Sequence, residues 1–278
     1  MPAIPSGMIE PIWDQFCALL PARAVEHPLG CHRRRVPERV VFDRLVQMLV
    51  FGGAYERIAD EACSATTLRR RRDEWIAAGL MTALHSLTLD AYDQMIGLQL
   101  GDVGVDGCIT TAPGGGELAG KSPVDRGKQG LKRSLVVDAA GIPLGTITAP
   151  ANQHDSPLLE PTLATLDAIG PLPTPMTVHL DRGYDSAVTR QRLAARGLRA
   201  EIAERGKPAP LTAGKRWVVE RRTNAWTNAH KKLVWCTERR AAVIAFWIAL
   251  SAVIIIVGRL IRQAWTRYRW EQRPQRRP

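Results

Sequence analysis

Apolar residues in the first third of the chain recur at the spacing of helices. The clearest run extends from Glu38 to Phe51, where apolar side chains fall three or four residues apart until Gly52 and Gly53 end it. Shorter runs of the same kind predict helices over residues 11–20, 55–62, 65–79 and 80–98. We therefore predict an all-helical N-terminal module over residues 1–97.

The pattern changes after residue 98 to short apolar or alternating runs, which are typical of β-strands. Strands are predicted over residues 100–109, 133–138, 144–149, 177–180 and 199–203. Gly141 leaves only a hairpin turn between the second and third strands, so these two should pair antiparallel. Helices predicted over residues 158–169 and 186–197 separate the later strands. This order predicts an α/β fold class, with a mixed sheet flanked by helices, for residues 98–265.

Two aspartates stand where predicted strands end. Asp106 comes near the end of the first strand, and Asp181 directly follows the fourth. Because open α/β sheets present ligand groups at the carboxyl ends of their strands, both are candidate metal ligands. Glu220 is a third candidate, on a predicted helix over residues 215–232 that has Asn224 on the same face. Two aspartates and one glutamate can hold two divalent cations side by side, which is the arrangement needed for in-line displacement at the phosphorus of a phosphodiester.

These carboxylates lie within five ordered blocks that resemble bacterial insertion-element transposases of the DDE type, in the branch related to insertion sequence five. The blocks cover roughly Leu100 to Lys232, and their joint order makes the resemblance specific. They are Val103-Gly-Val-Asp106-Gly, Arg126 to Pro143, Asn152-Gln-His-Asp155-Ser, Leu180-Asp-Arg-Gly-Tyr-Asp185 and Arg216-Trp-Val-Val-Glu220-Arg.

The resemblance implies a ribonuclease-H-like (RNase H-like) catalytic domain in which the first and fourth strands are neighbours. Its metal-binding triad falls on Asp106, Asp181 and Glu220, which would hold two Mg2+ ions, with Mn2+ as a substitute. The implied enzyme is a polynucleotidyl transferase and endonuclease. It would bind the terminal inverted repeats of its own element, cut them to free a 3'-hydroxyl, and join that end to target DNA. A homo-oligomer on double-stranded DNA is expected.

One departure from the family concerns the residues after the glutamate. The family usually has one arginine and then a hydroxyl-bearing residue, whereas Arg221 and Arg222 are doubled here. The doubling follows Glu220, so it affects the register of the later DNA-contacting residues more than the glutamate itself.

The charge of the chain favours a polyanionic partner. The net charge is +11 and the pI is about 10.0. Residues 1–98 carry 11 basic and 12 acidic groups, residues 99–198 carry 9 and 10, and residues 199–278 carry 18 and 5. The basic excess therefore lies in the third that contains Glu220, where it would attract nucleic acid. A basic solubilising surface is the alternative.

Several basic residues are predicted to contact DNA. Arg69 to Arg72 lie on a helix after a tight break, which suggests a helix-turn-helix reader, although four arginines also suit a solvated face. Arg126 and Lys128 lie in a basic hairpin with Lys132 and Arg133, and a tail over residues 266–278 is basic and aromatic. The full set is Arg69, Arg70, Arg71, Arg72, Arg126, Lys128, Arg182, Arg216, Lys231 and Lys232.

Two aspartates are predicted to cap helices. Asp155 and Asp185 each precede a predicted helix, where Asp is favoured. His154 and Asp155 could also form a catalytic pair, but a loop hydrogen bond and a cap explain them more simply.

The segment Ala241 to Gly258 has 18 residues without a charge, which reaches the lower limit for a membrane span. Arginines at both ends and the lack of a second span favour a buried helix, so no membrane partner is expected. The five scattered cysteines include no Cys-x-x-Cys pair, which supports neither a disulfide framework nor a zinc site. A bacterial cytoplasmic protein associated with the nucleoid is expected.

Other functions remain open at this point. A catalytically decayed transposase would act only as a DNA-binding protein, and a non-transposing nuclease could share the fold. A membrane-associated protein anchored by residues 241–258 is a third alternative.

Overall fold

The N-terminal third of the protein is helical, as predicted. The computed structural model describes residues 3–22, 35–203 and 218–268. The helices of this part are α1 (Ser6–Leu19), α2 (Glu38–Phe51), α3 (Tyr55–Ile58), α4 (Ala65–Ala77) and α5 (Leu80–Met95). Helix α2 has the predicted bounds because Gly52 takes a φ of 75° and leaves the helical conformation. Helix α3 is shorter than predicted, and the Ser64 hydroxyl caps α4 by accepting from the Thr67 amide.

A six-stranded mixed sheet forms the centre of the described chain. Its strands are β1 (Asp102–Thr111), β2 (Gly120–Lys121), β3 (Gln129–Asp138), β4 (Pro143–Pro150), β5 (Thr177–Leu180) and β6 (Arg199–Ile202). Strand β3 pairs antiparallel with β1, β2 and β4, while β5 pairs parallel with β1 and β6. The antiparallel strands β1, β3 and β4, extended by the parallel strands β5 and β6, make the RNase H-like arrangement, and the two-residue strand β2 is added beside β3. The predicted fold class is therefore confirmed.

Helices cover this sheet. They are α6 (Ser156–Ala164), α7 (Ala187–Ala195), α8 (Asn224–Asn228), α9 (Lys231–Val234) and α10 (Ala241–Arg267). A π-helical turn, Val218–Thr223, precedes α8. Ser186, not Asp185, caps α7, because its hydroxyl accepts from the Thr189 amide. The prediction of a cap at Asp185 is therefore wrong.

The single helix predicted over residues 215–232 is interrupted in the described part. It breaks at His230, which has an extended backbone with ψ of 101°. The break lets the His230 ring reach inward, where Nδ1 lies 2.7 Å from the Ser251 hydroxyl of α10. It also turns Leu233 into the core. Tertiary packing therefore overrides the helical spacing of this segment.

Helix α10 is the buried helix that the sequence predicts. It is long and apolar enough to cross a membrane by length and composition, yet 72% of its most apolar window is buried inside the protein. Most side chains from Val243 to Val257 share a core with α1, α2 and α4, and Ile256 joins the separate core formed by the sheet. The N-terminal helices and the sheet therefore enclose α10 together.

The π-helical turn lies directly against β1. An added Cβ on Gly104 would lie 2.4 Å from Val219 Cγ2, so only glycine allows this approach. Val219 is fully buried and packs with Leu135 and Val137. The Thr223 hydroxyl donates to the Gly141 carbonyl at 2.7 Å. These contacts fix the turn that carries Glu220 over the centre of the sheet.

Substitution of Gly104 by Ala should lower the free energy of unfolding by about 1–3 kcal/mol, because the added methyl group overlaps Val219. Urea unfolding monitored by circular dichroism would measure the change. Gly101→Ala is the matched control, since nothing lies within 4 Å of a Cβ at that position. Equal stabilities of the two variants would contradict the proposed contact.

The His230 ring makes stability depend on pH. Burial and the nearby Arg133 charge lower the pKa of His230 to about 4. Between pH 6.5 and 4, His230 is therefore protonated in the unfolded chain but neutral in the folded protein. This contribution to stability is present above pH 6.5 and is lost as the pH falls through that window, by on the order of 1–3 kcal/mol.

We predict that His230→Gln destabilises the protein more at pH 7.5 than at pH 4.5. Urea unfolding of both proteins at each pH would measure the two differences. Both proteins have the same acidic groups, so the effect of those groups on stability cancels when the two proteins are compared. The remaining pH dependence is that of His230. The same difference at both pH values would show that His230 does not titrate as inferred.

Candidate active site

The two aspartates come together where β1 and β5 run side by side. Strand β1 continues to Thr111 through its pairing with β3, so Asp106 lies in the middle of β1 and not near its end as predicted. The parallel pairing sets Gly104 opposite His179. Carried two residues farther, this register places Asp106 beside Asp181, at the carboxyl end of β5.

Asp181 is held by the turn that follows β5. Its Oδ1 accepts a hydrogen bond from the Gly183 amide at 2.9 Å, which caps the 3-10 turn Arg182–Tyr184. A Cβ on Gly183 would lie 3.0 Å from the same oxygen, so the missing side chain permits the close approach. The Asp181 carboxylate is therefore fixed in direction at the edge of the sheet.

Asp106 is oriented from the opposite side. Its Oδ2 accepts a hydrogen bond from Asn224 Nδ2 at 2.8 Å. Asn224 begins α8 immediately after the π-helical turn. The spacing of four residues between Glu220 and Asn224 placed both on one face, but only the structure shows that Asn224 contacts Asp106.

Glu220 lies in the π-helical turn, between the buried Val219 and Asn224. Its side chain and that of Arg221 are outside the described residues. Each hydrogen bond of a π-helical turn closes a loop that is one residue longer than that of an α-helix. The turn therefore accommodates the additional arginine, while Val219 before it and Thr223 after it both keep contacts with the sheet region.

A third aspartate and a tyrosine lie close to this pair. Burial raises the pKa of Tyr184, and the charges of Asp155, Asp106 and Asp181 raise it further, so its hydroxyl stays protonated. Asp155 precedes α6, but its side chain makes no capping hydrogen bond. It pairs instead with the buried Lys132 at 3.0 Å. The predicted cap at Asp155 is therefore wrong, and the adjacent His154 is exposed.

The donor set suits a hard divalent cation. Asp106 and Asp181 offer carboxylate oxygens, which Mg2+ and Mn2+ prefer. Among the side chains that the structure describes, no three His, Cys, Asp or Glu groups are arranged to hold a metal ion. The Glu220 side chain lies outside that set.

Comparison with known proteins identifies the family. The profile of the family described as "Transposase DDE domain" matches residues 105–256, which include Asp106, Asp181 and Glu220. The chain belongs to the DDE transposase family. A Burkholderia cepacia protein named "Putative transposase for insertion sequence element IS402" is 38% identical over 149 residues, or 51% of this chain and 70% of that protein.

Solved structures with partial similarity to this DDE transposase include two of Mos1. "Crystal structure of the Mos1 mariner paired end complex with Mn" is 10% identical, with a TM-score of 0.39, and covers 95% of this chain and 86% of that one. "Crystal structure of a pre-cleavage Mos1 transpososome" is 9% identical, with a TM-score of 0.27, and covers 94% and 88%.

Six predicted DNA contacts of the transposase have exposed or partly exposed side chains. Arg126 and Lys128 lie in the turn before β3, and Lys128 pairs with Asp125 at 3.6 Å. Arg182 is exposed next to Asp181. Arg70 and Lys231 are also exposed, and Arg69 is partly exposed. Arg216 lies outside the described residues.

Three other predicted contacts are buried. Arg71 is fully buried in an ion pair with Glu38, and the side chain of Arg72 pairs with Asp73 at 2.8 Å. Lys232 Nζ lies 2.7 Å from Glu238. Helix α4 packs between α2, α3 and α5, which encloses half of its arginine run. Direct DNA contact by these three side chains is therefore excluded in this structure, and a reading face of four arginines does not form.

Substitution of Asn224 by Ala should weaken Mn2+ binding about 10–100-fold, because Asp106 loses the group that orients it. Electron paramagnetic resonance titration of Mn2+ would measure the affinity without requiring DNA. Thr227→Ala is the matched control, since its hydroxyl donates to the Thr223 carbonyl of the same helical segment. An unchanged affinity in Asn224→Ala would contradict an orienting role.

Proposed function

We propose that this protein is the transposase of a bacterial insertion element, in the branch related to insertion sequence five. It binds the terminal inverted repeats of the element, cleaves the DNA and joins the freed end to target DNA. The observation that carries the proposal is the position of Asp106 beside Asp181 within the DDE domain, with Asn224 linking Asp106 to the segment of Glu220. No Ser or Tyr nucleophile is needed for this chemistry.

Asp106, Asp181 and Glu220 would hold the divalent ions, which we propose to be two Mg2+ with Mn2+ as a substitute. When bound, such ions supply Lewis-acid stabilisation of the charge that develops at the scissile phosphate. The protein fixes the ligands: Asn224 orients Asp106, and the Gly183 amide orients Asp181. Tyr184 remains a neutral phenol beside them, so it adds no negative charge that would oppose an approaching phosphate.

The exposed basic residues support binding of double-stranded DNA at this side of the protein. Arg182 lies next to Asp181, and Arg126 and Lys128 extend from the turn before β3. Phosphate contacts of this kind position DNA without reading its sequence. We propose Arg69, Arg70, Arg216 and Lys231 as further contacts. Assembly as a homo-oligomer on paired ends and a cytoplasmic, nucleoid-associated location follow from the proposed function.

Domain boundaries follow the same proposal. Residues 1–97 would form the DNA-binding module, residues 98–265 the catalytic domain and residues 266–278 a basic tail. Helix α10 ends at Arg267. It therefore continues two residues into the proposed tail, and residues 269–278 lie outside the described chain.

Substitution of Asp181 by Asn should abolish Mg2+-dependent nicking of a duplex that carries the flanking ends of the gene, while DNA binding persists. The amide keeps the shape of the side chain but removes the charge that a metal ion requires. Glu220→Gln should have the same effect. Gel analysis of end-labelled DNA would measure cleavage, and fluorescence anisotropy would measure binding.

Asp185→Asn is the matched control, because Asp185 lies in the same motif but forms a surface pair with Arg190 at 2.8 Å. It should cleave like the unsubstituted protein. Retained cleavage by Asp181→Asn would overturn the assignment of the metal ligands. Binding without cleavage by the unsubstituted protein would indicate a decayed transposase that acts only as a DNA-binding protein. Cleavage without strand transfer would indicate a nuclease of the same fold.

A further inference from the structure

A basic cleft separates the N-terminal helices from the segment that leads into α10. It has a volume of about 340 Å³ and lies around the Tyr55 ring, so we call it the Tyr55 cleft. Its basic side chains are Arg69, Arg72, Lys232, Arg239 and Arg240. We propose that the Tyr55 cleft binds the backbone phosphates of a DNA strand. The inference rests on the proposed function, and it assigns a phosphate site away from the metal-binding carboxylates.

The cleft carries more positive than negative charge. Its five cations face three carboxylates, those of Glu56, Asp73 and Glu238. The excess of two positive charges is concentrated in one concave region, where low-dielectric walls strengthen the field on an approaching anion. Seven of the eleven residues that line the cleft are charged, and five of these seven are basic.

Tyr55 forms the centre of the floor. Its hydroxyl donates to Glu238 Oε1 at 3.0 Å and accepts from the Arg72 guanidinium. Its ring lies 5.1 Å from the Arg72 guanidinium carbon and 5.3 Å from Lys232 Nζ. Burial raises the pKa of Tyr55, so the phenol adds no negative charge. Arg72 and Lys232 are thus fixed within the floor, where they contribute charge without moving.

The rim holds the side chains that can reach a phosphate. Arg239 is exposed and has no carboxylate partner within the described part of the chain. Its backbone is anchored, because its carbonyl accepts from the Glu117 amide at 2.8 Å and Gly116 packs against it. Arg69 and Arg240 form surface ion pairs with Glu56 and Asp73, and the Arg69 guanidinium carbon lies 4.6 Å from the centre of the Tyr55 ring. Such pairs contribute about 0–1 kcal/mol, so a phosphate can replace them at little cost.

Strand β1 connects the proposed active site with the segment that borders the cleft. Strand β1 runs five residues from Asp106 to Thr111, a distance of roughly 17 Å. Thr111 forms a bridge with Trp235, which is exposed and leads into the cleft at Thr237. At about 3.4 Å per nucleotide, the distance from Asp106 to Thr111 corresponds to about five nucleotides of duplex. The Tyr55 cleft would hold the backbone beyond that point.

The test compares DNA binding by the unsubstituted protein and an Arg69→Ala, Arg239→Ala double variant of the full chain. Fluorescence anisotropy at several KCl concentrations would measure affinity for a duplex with the flanking gene ends and for one of unrelated sequence. We expect an affinity loss of about tenfold for both duplexes, because phosphate contacts are independent of sequence. The slope of log affinity against log salt should fall by about 2, one for each lost contact.

Arg192→Ala is the matched control, since Arg192 is an exposed arginine on α7, outside the cleft. It should change neither affinity nor slope, and thermal unfolding should show that all variants fold alike. If the double variant still binds DNA and its slope is unchanged, the proposal that the Tyr55 cleft binds phosphates is wrong, while the proposed function of the protein is not affected. A loss confined to the gene-end duplex would also overturn it, because that result indicates base reading. Absence of DNA binding by the unsubstituted protein would overturn the proposed function as well.

Discussion

Burial of α10 is the constraint on which the rest of the structure depends. A helix this apolar is stable in water only when other elements cover its surface, and no single element covers it. The N-terminal helices cover one part and the sheet contributes at Ile256. The two parts of the chain are therefore held in one relative position. The contact between His230 and Ser251 extends the same constraint to the segment behind α8.

The candidate site is assembled by close approaches that only glycine permits. Gly104 admits the π-helical turn to β1, Gly107 admits the Asp155 carboxylate and Gly183 admits Asp181. Each of these glycines lies next to a carboxylate or next to the segment that contains Glu220, where any other side chain would occupy the same space. The Gly183 amide and the side chains of Asn224 and Lys132 then fix the three carboxylates in direction, which is what a pre-formed cation site requires.

Burial sorts the basic residues into two groups. Arg71, Arg72 and Lys232 compensate carboxylates within the protein, since an unpaired buried charge is costly. Arg70, Arg126, Arg182 and Arg239 remain at the surface and can meet phosphates. The number of basic residues therefore overstates the number of cations available to DNA in some regions. The run from Arg69 to Arg72 shows this most clearly, because consecutive residues of a helix point in different directions.

The sequence by itself determined the helical N-terminal module, five of the six strands, the burial of α10 and the three acidic candidates, because periodicity and short motifs are local properties. Only the tertiary structure decided that Asp106 lies in mid-strand, that Asn224 contacts it, and that the predicted helix over residues 215–232 breaks at His230. It also decided which arginines are buried. These features depend on residues far apart in the chain, since strand register, core packing and charge pairing are set by neighbours in space.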